Sequence, residues 1–256
     1  MTRGPALGAL ALLLVSSGCA HRPPHEEASD PLEPVNRAIY QFNDKADKYV
    51  LKPVAQGYEK VVPSLARRGI SNFFNNLEEP ATIANDILQA KFHQAASDSA
   101  RFVFNTTFGL VGLVDVATPM GHPKHNEDFG QTLGVWGLGQ GWYLVLPLLG
   151  PSSVRDGFGL WVDNHLDPAT QWVESPERYY LLALRIVDQR AQLLSATKVL
   201  DTAALDPYLY TREAYRQHRW NLLHDGNPPL PDFDTELEEL EELEELERLE
   251  EQDKPE

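Results

Sequence analysis

The sequence predicts an all-α body, and three observations carry that prediction. Apolar residues recur at steps of three and four over much of the stretch from Pro34 to Leu223. Prolines and capping residues stand where those runs begin. The glycine-dense middle holds short apolar runs in place of regular two-residue alternation. No later run approaches the roughly 20 apolar residues of a membrane-crossing helix. Nor do repeated alternating segments of about ten residues suggest a membrane β-barrel.

The first eighteen residues read as an export signal. Arg3 supplies a positive start, and Ala6 to Val15 is unbroken small and apolar sequence, too short to span a bilayer. Ser16-Ser17-Gly18 then leads into Cys19, the only cysteine of the chain. This pattern resembles a lipobox, with Ser16 standing where lipoproteins usually carry Leu. Cleavage before Cys19 and acylation of its thiol are expected, and Ala20 in place of Asp favours the outer membrane. A lone cysteine has no partner for an internal disulfide. Acylation gives it a purpose, since two or more acyl chains anchor stably. Residues 19–29, with Pro23 and Pro24, form the lipidated tether.

Pro34 suits a first helical turn, and Val35, Ile39, Phe42, Ala46 and Tyr49 follow on one stripe. After Pro63, Leu65, Gly69, Phe73 and Leu77 share a face, while Arg67, Ser71, Asn75 and Glu78 share another. Pro80 is expected to end that helix, with a short one over Ala81 to Ala90. His93 to Thr107 is the next helical stretch, rich in phenylalanine toward Phe108.

The middle changes character. Gly109-Leu110-Val111-Gly112-Leu113-Val114 is apolar, and Gly130, Gly134, Gly137, Gly139 and Gly141 punctuate the approach to Leu144–Leu149. Such glycine density suggests close backbone approach, tight turns or a hinge. Within a bilayer these segments need protein cover for their backbone groups. Periodicity alone favours a buried hairpin.

Pro176 to about Leu200 shows a clear stripe through Tyr179, Leu182, Ile186 and Leu193, on which Arg190 also falls. An arginine there needs a carboxylate, carbonyls or a solvated cavity, and an ion pair is the first expectation, ahead of a pore-lining charge. Asp206 to Leu223 is amphipathic and aromatic, and Gly226 with Pro228-Pro229 closes a domain spanning 30–228.

Charge sits at the end. Residues 232–256 hold fourteen acidic and two basic side chains, a net of −12, which leaves 24 acidic and 19 basic in 19–231, a net of −5. The body is nearly balanced and has no basic patch for nucleic acid. Leu237, Leu240, Leu243, Leu246 and Leu249 recur every three residues, which forms no single α-helical seam. The segment 229–256 therefore reads as a solvated acidic low-complexity tail.

Read in order, the unusual local strings resemble one family, the VacJ/MlaA outer-membrane lipoproteins. They are Asp30-Pro31-Leu32-Glu33 with Asn36-Arg37, Asn76-Leu77-Glu78-Glu79-Pro80, and Arg101-Phe102 with Asn105-Thr106. Asp128 to Gly134, Gly150-Pro151-Ser152 with Arg155-Asp156, and Arg190 to Leu194 follow. Asp206-Pro207-Tyr208 with Arg212 to Tyr215 completes the set. The acidic repeat lies outside the family pattern. The resemblance implies a ring-like single domain of amphipathic helices in the periplasmic leaflet of the outer membrane, with a polar passage through it. It implies partnership with an outer-membrane porin trimer. It also implies passive removal of phospholipid misplaced in the outer leaflet, handed to a soluble periplasmic lipid carrier for retrograde transport. Gly109, Gly112, Gly130, Gly134, Gly137, Gly139, Gly141 and Arg190 are the candidate lipid-passage or hinge residues, and Cys19 the site of lipid attachment.

Other classes fit less well. A Gly-x-Ser-x-Gly elbow is absent, and Ser152 or Ser153 ahead of Val154-Arg155-Asp156 reads better as a helix cap than as an esterase nucleophile. No Gly-x-x-x-x-Gly-Lys-Ser/Thr loop is present to hold ATP. His122, His125, Glu127 and Asp128 share a polar loop, but without a His-Glu-x-x-His helix they read as solvated, and no metal or cofactor is expected. A structural lipoprotein that scaffolds a porin without moving lipid remains the non-catalytic alternative.

Overall fold

A computed structural model describes residues 30–197 and 205–229. The signal segment, Cys19 and its tether, the end of the helix expected to reach Leu200, and the acidic tail from 230 lie outside the described residues.

Helices dominate. Helix α1 (Glu33–Ala46) passes through a π-helical turn (Asp47–Leu51) into α2 (Lys52–Val61). The widened turn falls where Pro53 withholds an N–H, so the backbone stays helical instead of breaking. Helix α3 (Ser64–Leu88) packs along α4 (Phe92–Thr107). Pro80 does not end α3, contrary to the expectation from sequence. The residues on either side of it hold the helix through: Asn76, Glu79, Thr82, Asn85 and Asp86 are all buried, so tertiary contacts override the lost backbone bond.

A turn region over 108–128, with one 3₁₀ turn at Thr118–Met120, leads to α5 (Phe129–Val135). Strands β1 (Tyr143–Leu146) and β2 (Gly150–Ser153) then pair antiparallel, Tyr143 opposite Ser153 and Leu146 opposite Gly150. The glycine-rich stretch thus ends in a small hairpin with Tyr143 and Val145 buried and Leu148 and Leu149 exposed at its tip. Ser153 caps α6 (Val154–Leu166) by accepting from Asp156 N at 3.1 Å. After the short α7 (Pro168–Gln171) come α8 (Glu177–Gln192) and α9 (Pro207–Leu223), the latter capped by Asp206. Helix α5 lies against α6, and α2 against α8.

Apolar packing is sparse. One cluster joins Ala55, Ala191 and Leu194 with Tyr58 against it, and another joins Tyr143, Val145 and Tyr208 with Ile39, Tyr40 and Tyr215. No helix among the described residues is long and apolar enough to cross a membrane.

Candidate functional site

The helices are turned so that polar residues face inward and apolar residues outward. Asn36 is the buried residue of α1, while Val35, Phe42 and Tyr49 on its expected stripe and the turn after it are 56%, 55% and 75% exposed. Leu65, Phe92, Val103, Phe108, Phe158 and four tryptophans, Trp136, Trp142, Trp161 and Trp172, are exposed as well. Periodicity had marked the stripe without saying which medium it faces. In water, this much unburied apolar surface marks a site of association with a partner or a membrane.

The polar interior is concentrated between α3 and α4. Arg101 donates from Nε to Glu79 Oε1 at 2.9 Å, from Nη1 to Thr118 Oγ1 at 2.8 Å, and from Nη2 to Asp115 Oδ2 at 2.9 Å. Burial would raise Asp115, but Arg101 and Thr118 outweigh it and hold that carboxyl at about 2. Burial and the Asp98 charge push Glu79 up to about 7 despite Arg101. Farther along, Thr132 Oγ1 donates to Asn85 Oδ1 at 2.8 Å, and Asn85 Nδ2 donates to Asp163 Oδ1 at 3.0 Å, tying α3 to α5 and α6.

On this seam rides the first glycine stretch. Leu110 and Val111 adopt positive φ of 55° and 59°, a conformation uncommon for leucine and strained for a β-branched residue. Asparagines hold the turn. Gly112 N donates to Asn105 O at 2.8 Å, Asn105 Oδ1 accepts from Val116 N at 2.9 Å, and Asn72 Nδ2 donates to Leu113 O at 3.2 Å. A Cβ on Gly109 would lie 2.1 Å from Val114 O, and one on Gly112 would lie 2.6 Å from Asn76 Cβ. The result is an apolar loop, Leu110 to Val114, presented outward from a polar base.

The second stretch closes on different partners. A Cβ on Gly130 would lie 2.6 Å from Asp156 Oδ1, and one on Gly134 would lie 2.7 Å from Leu223 Cδ1 on α9. Gly137 and Gly141 have positive φ of 91° and 68°, and Gly139 lies half-buried in the loop before β1. Gly109 and Gly112 therefore serve α3 and α4, whereas Gly130 and Gly134 serve α6 and α9. Arg190 stands apart from both. Its Nη2 donates to Asp47 Oδ2 at 2.8 Å, the ion pair expected from its place on the stripe.

The polar loop expected to be solvated is instead tied down. His125 Nδ1 is 2.8 Å from Asp98 Oδ1, Glu127 Oε2 accepts from Gln89 at 2.9 Å, and Asp128 pairs with Arg219 on α9. These three side chains go to separate partners, and no group of His, Cys, Asp and Glu suited to a metal occurs among the described residues. His122 Nδ1 lies 3.1 Å from Ser97 Oγ, and no carboxylate bonds that histidine among the described residues.

Two networks were missed by sequence reasoning. Arg219 bridges Asp128 on the 121–128 loop and Asp156 on α6, where Tyr215 also donates. Burial raises Asp128, but Arg219 overrides it and holds that carboxyl below the ordinary range. At the other end, Arg37 pairs with Asp206 Oδ2 at 2.8 Å, and Asn36 Nδ2 donates to Tyr143 O at 2.9 Å. A signal existed: most of the strings singled out above contribute a buried polar residue, among them Asn36, Asn76, Arg101, Gln131 and Arg155.

Known proteins resemble this chain in sequence and in fold. The MlaA lipoprotein family model matches residues 28–222. The chain belongs to this family. It is 40% identical over 234 residues to the intermembrane phospholipid transport system lipoprotein MlaA of Escherichia coli (strain K12), covering 88% of this chain and 91% of that protein. The protein of the same name from Shigella flexneri shows the same identity and coverage. That of Haemophilus influenzae is 34% identical over 227 residues, covering 86% of this chain and 90% of its own. A solved structure from work on the maintenance of bacterial outer membrane lipid asymmetry superposes with a TM-score of 0.68 at 36% identity. It covers 77% of this chain and all of its own, so the MlaA fold extends over most of the described body.

Proposed function

We propose that this MlaA-family protein removes phospholipid from the outer leaflet of the outer membrane and passes it inward for retrograde transport. The observation that carries this reading is the inverted polarity: an apolar exterior around a polar interior. A headgroup crosses between leaflets at low cost when polar groups accompany it while its chains stay in apolar surroundings. The relatives named as phospholipid transport lipoproteins support the same reading.

In this scheme Cys19 carries the acyl anchor in the periplasmic leaflet, the body associates with a porin trimer, and a soluble periplasmic carrier accepts the lipid. Transfer is passive and non-enzymatic. The glycine turns, with the apolar loop Leu110 to Val114 at the first of them, border the passage. The experiment is complementation of a strain lacking its own MlaA. Expression of this chain should lower outer-leaflet phospholipid, read as lipid accessible to added phospholipase on intact cells. Normal expression and porin association with undiminished surface phospholipid would leave a structural lipoprotein instead.

A further inference from the structure

Asp86 on α3 and Asp98 on α4 are both fully buried and meet across the helix seam. Neither oxygen of Asp86 receives a hydrogen bond among the described residues, nor does Asp98 Oδ2. Asp98 Oδ1 is taken by His125 Nδ1. The surrounding cations are committed elsewhere. Lys91 is bonded to Glu127 and Asp225, Lys124 to Asn75 and Glu78, and Arg101 to Glu79 and Asp115. Glu79 and Glu127 add further negative charge around the pair.

Two ionised carboxylates placed together without a donor are costly, and one proton between them removes both faults. It cancels the like-charge repulsion and converts two of the three unsatisfied oxygens into a donor and an acceptor. We propose that Asp86 and Asp98 share a single proton, and that this proton latches α3 to α4 and, through His125, fixes the 121–128 loop that leads into α5. Burial first, then the hydrogen bond and charge of Asp98, push Asp86 up to about 8; Glu127 adds to the rise and Lys91 opposes it.

The sign follows from linkage. An aspartate that titrates near 4 in the unfolded chain and near 8 in the folded one holds more protons when folded across that window. Stability therefore falls as pH rises from about 4 to about 8, and the latch is closed on the acid side. Glu79, raised to about 7, contributes in the same direction and must be separated in the test.

Asp86→Asn supplies the separation, because its carboxamide donates to Asp98 at every pH. In the full chain in detergent, the melting temperature of the parent should decline between pH 5 and pH 9. That of Asp86→Asn should decline less and exceed the parent by ~2–4 °C at pH 9. Infrared spectra should show a protonated-carboxyl stretch in the parent at pH 7 that survives Glu79→Gln and disappears in Asp86→Asn. The reciprocal Asp98→Asn, which donates the other way, gives the same result should the first variant fold poorly. A pH slope unchanged by both substitutions, or no such stretch, overturns the proposal. So does stabilisation of the parent by added Mg²⁺ or Ca²⁺ that Asp86→Asn abolishes, which would put a cation where the proton is assigned.

Discussion

Helix α1 and the α3–α4 seam turn the same helical period the same way, apolar side out, but they enclose very different amounts of polar side chain. In α1 the large side chains Val35 and Phe42 face outward while Asn36 is buried. In the seam Glu79, Asn85, Asp86, Asp98 and Arg101 are enclosed, each within a helix that also exposes residues such as Leu65, Phe92 or Val103. Hydrophobic burial between helices is thus a minor part of what defines this fold in water. Hydrogen bonds and ion pairs specify which helix meets which, and the apolar exterior is available to lipid or to a protein partner. The seam should therefore tolerate substitution poorly, and the outer face should tolerate it well as far as folding goes.

The strongest way to break that contrast is at Arg101. Replacing it with Met leaves Glu79 and Asp115 without their cation, and Glu79 is fully buried. Loss of one partner from such a pair costs about 3–5 kcal/mol. Arg101→Met should accordingly unfold at markedly lower denaturant concentration, and adding Glu79→Gln should recover part of the loss. Equal stability of Arg101→Met and the parent would show that the seam does not hold the body together.

Next comes the glycine turn at the seam's edge. Gly112 and Gly137 have nearly the same φ, 90° and 91°, but a Cβ on Gly112 meets Asn76 at 2.6 Å and one on Gly137 meets open space. Both Ala substitutions bear the left-handed penalty of roughly 1–2 kcal/mol. Gly112→Ala should cost distinctly more in urea unfolding, because Asn76 must also move. If the turn borders the lipid passage, it should also raise surface phospholipid in the complementation assay more than Gly137→Ala does.

Arg190 and Asp47 sharpen the comparison from the other side. Their pair is partly accessible, so Asp47→Asn should cost about 1 kcal/mol or less. Lipid removal should remain normal if Arg190 is a structural cation. A selective loss of transport with unchanged stability would return Arg190 to the passage.

Much of this architecture was legible in the chain. Pro34, Pro176 and Asp206 place the starts of α1, α8 and α9, and Ser153 caps α6 as its position suggested. Two things were not legible, for definite reasons. Pro80 carries a local signal to stop, and the contacts that override it come from α4 and from the loop before α5. The outward direction of the apolar stripes was also hidden, since periodicity defines a face and not the medium beyond it. Nor can spacing reveal that Arg37 meets Asp206 or that Asn36 meets Tyr143, because each pair is separated by more than a hundred residues. The glycines were legible as sites of close approach, but not as two groups with different partners.

The smallest folding effect, and the sharpest test of the exterior, is expected at Phe42. It is 55% exposed on a helix whose buried residue is Asn36, so Phe42→Gln removes little protein contact. Stability in detergent-free buffer should change by no more than about 0.5 kcal/mol. The membrane should respond differently. Transfer of a whole phenylalanine side chain out of water is worth roughly 1.5–3 kcal/mol, and the exposed half therefore about 1 kcal/mol. That amounts to about a fivefold weaker partition into phospholipid vesicles. The measurement belongs in a Cys19→Ser background, where no acyl chain masks the contribution of the helix face, with vesicle co-sedimentation as the readout. If Phe42→Gln binds vesicles as well as its parent, α1 does not lie in lipid, and its apolar stripe belongs to a protein contact such as the porin. If it binds about fivefold less while unfolding normally, the outer face of α1 is solvated by membrane and contributes little to holding the fold.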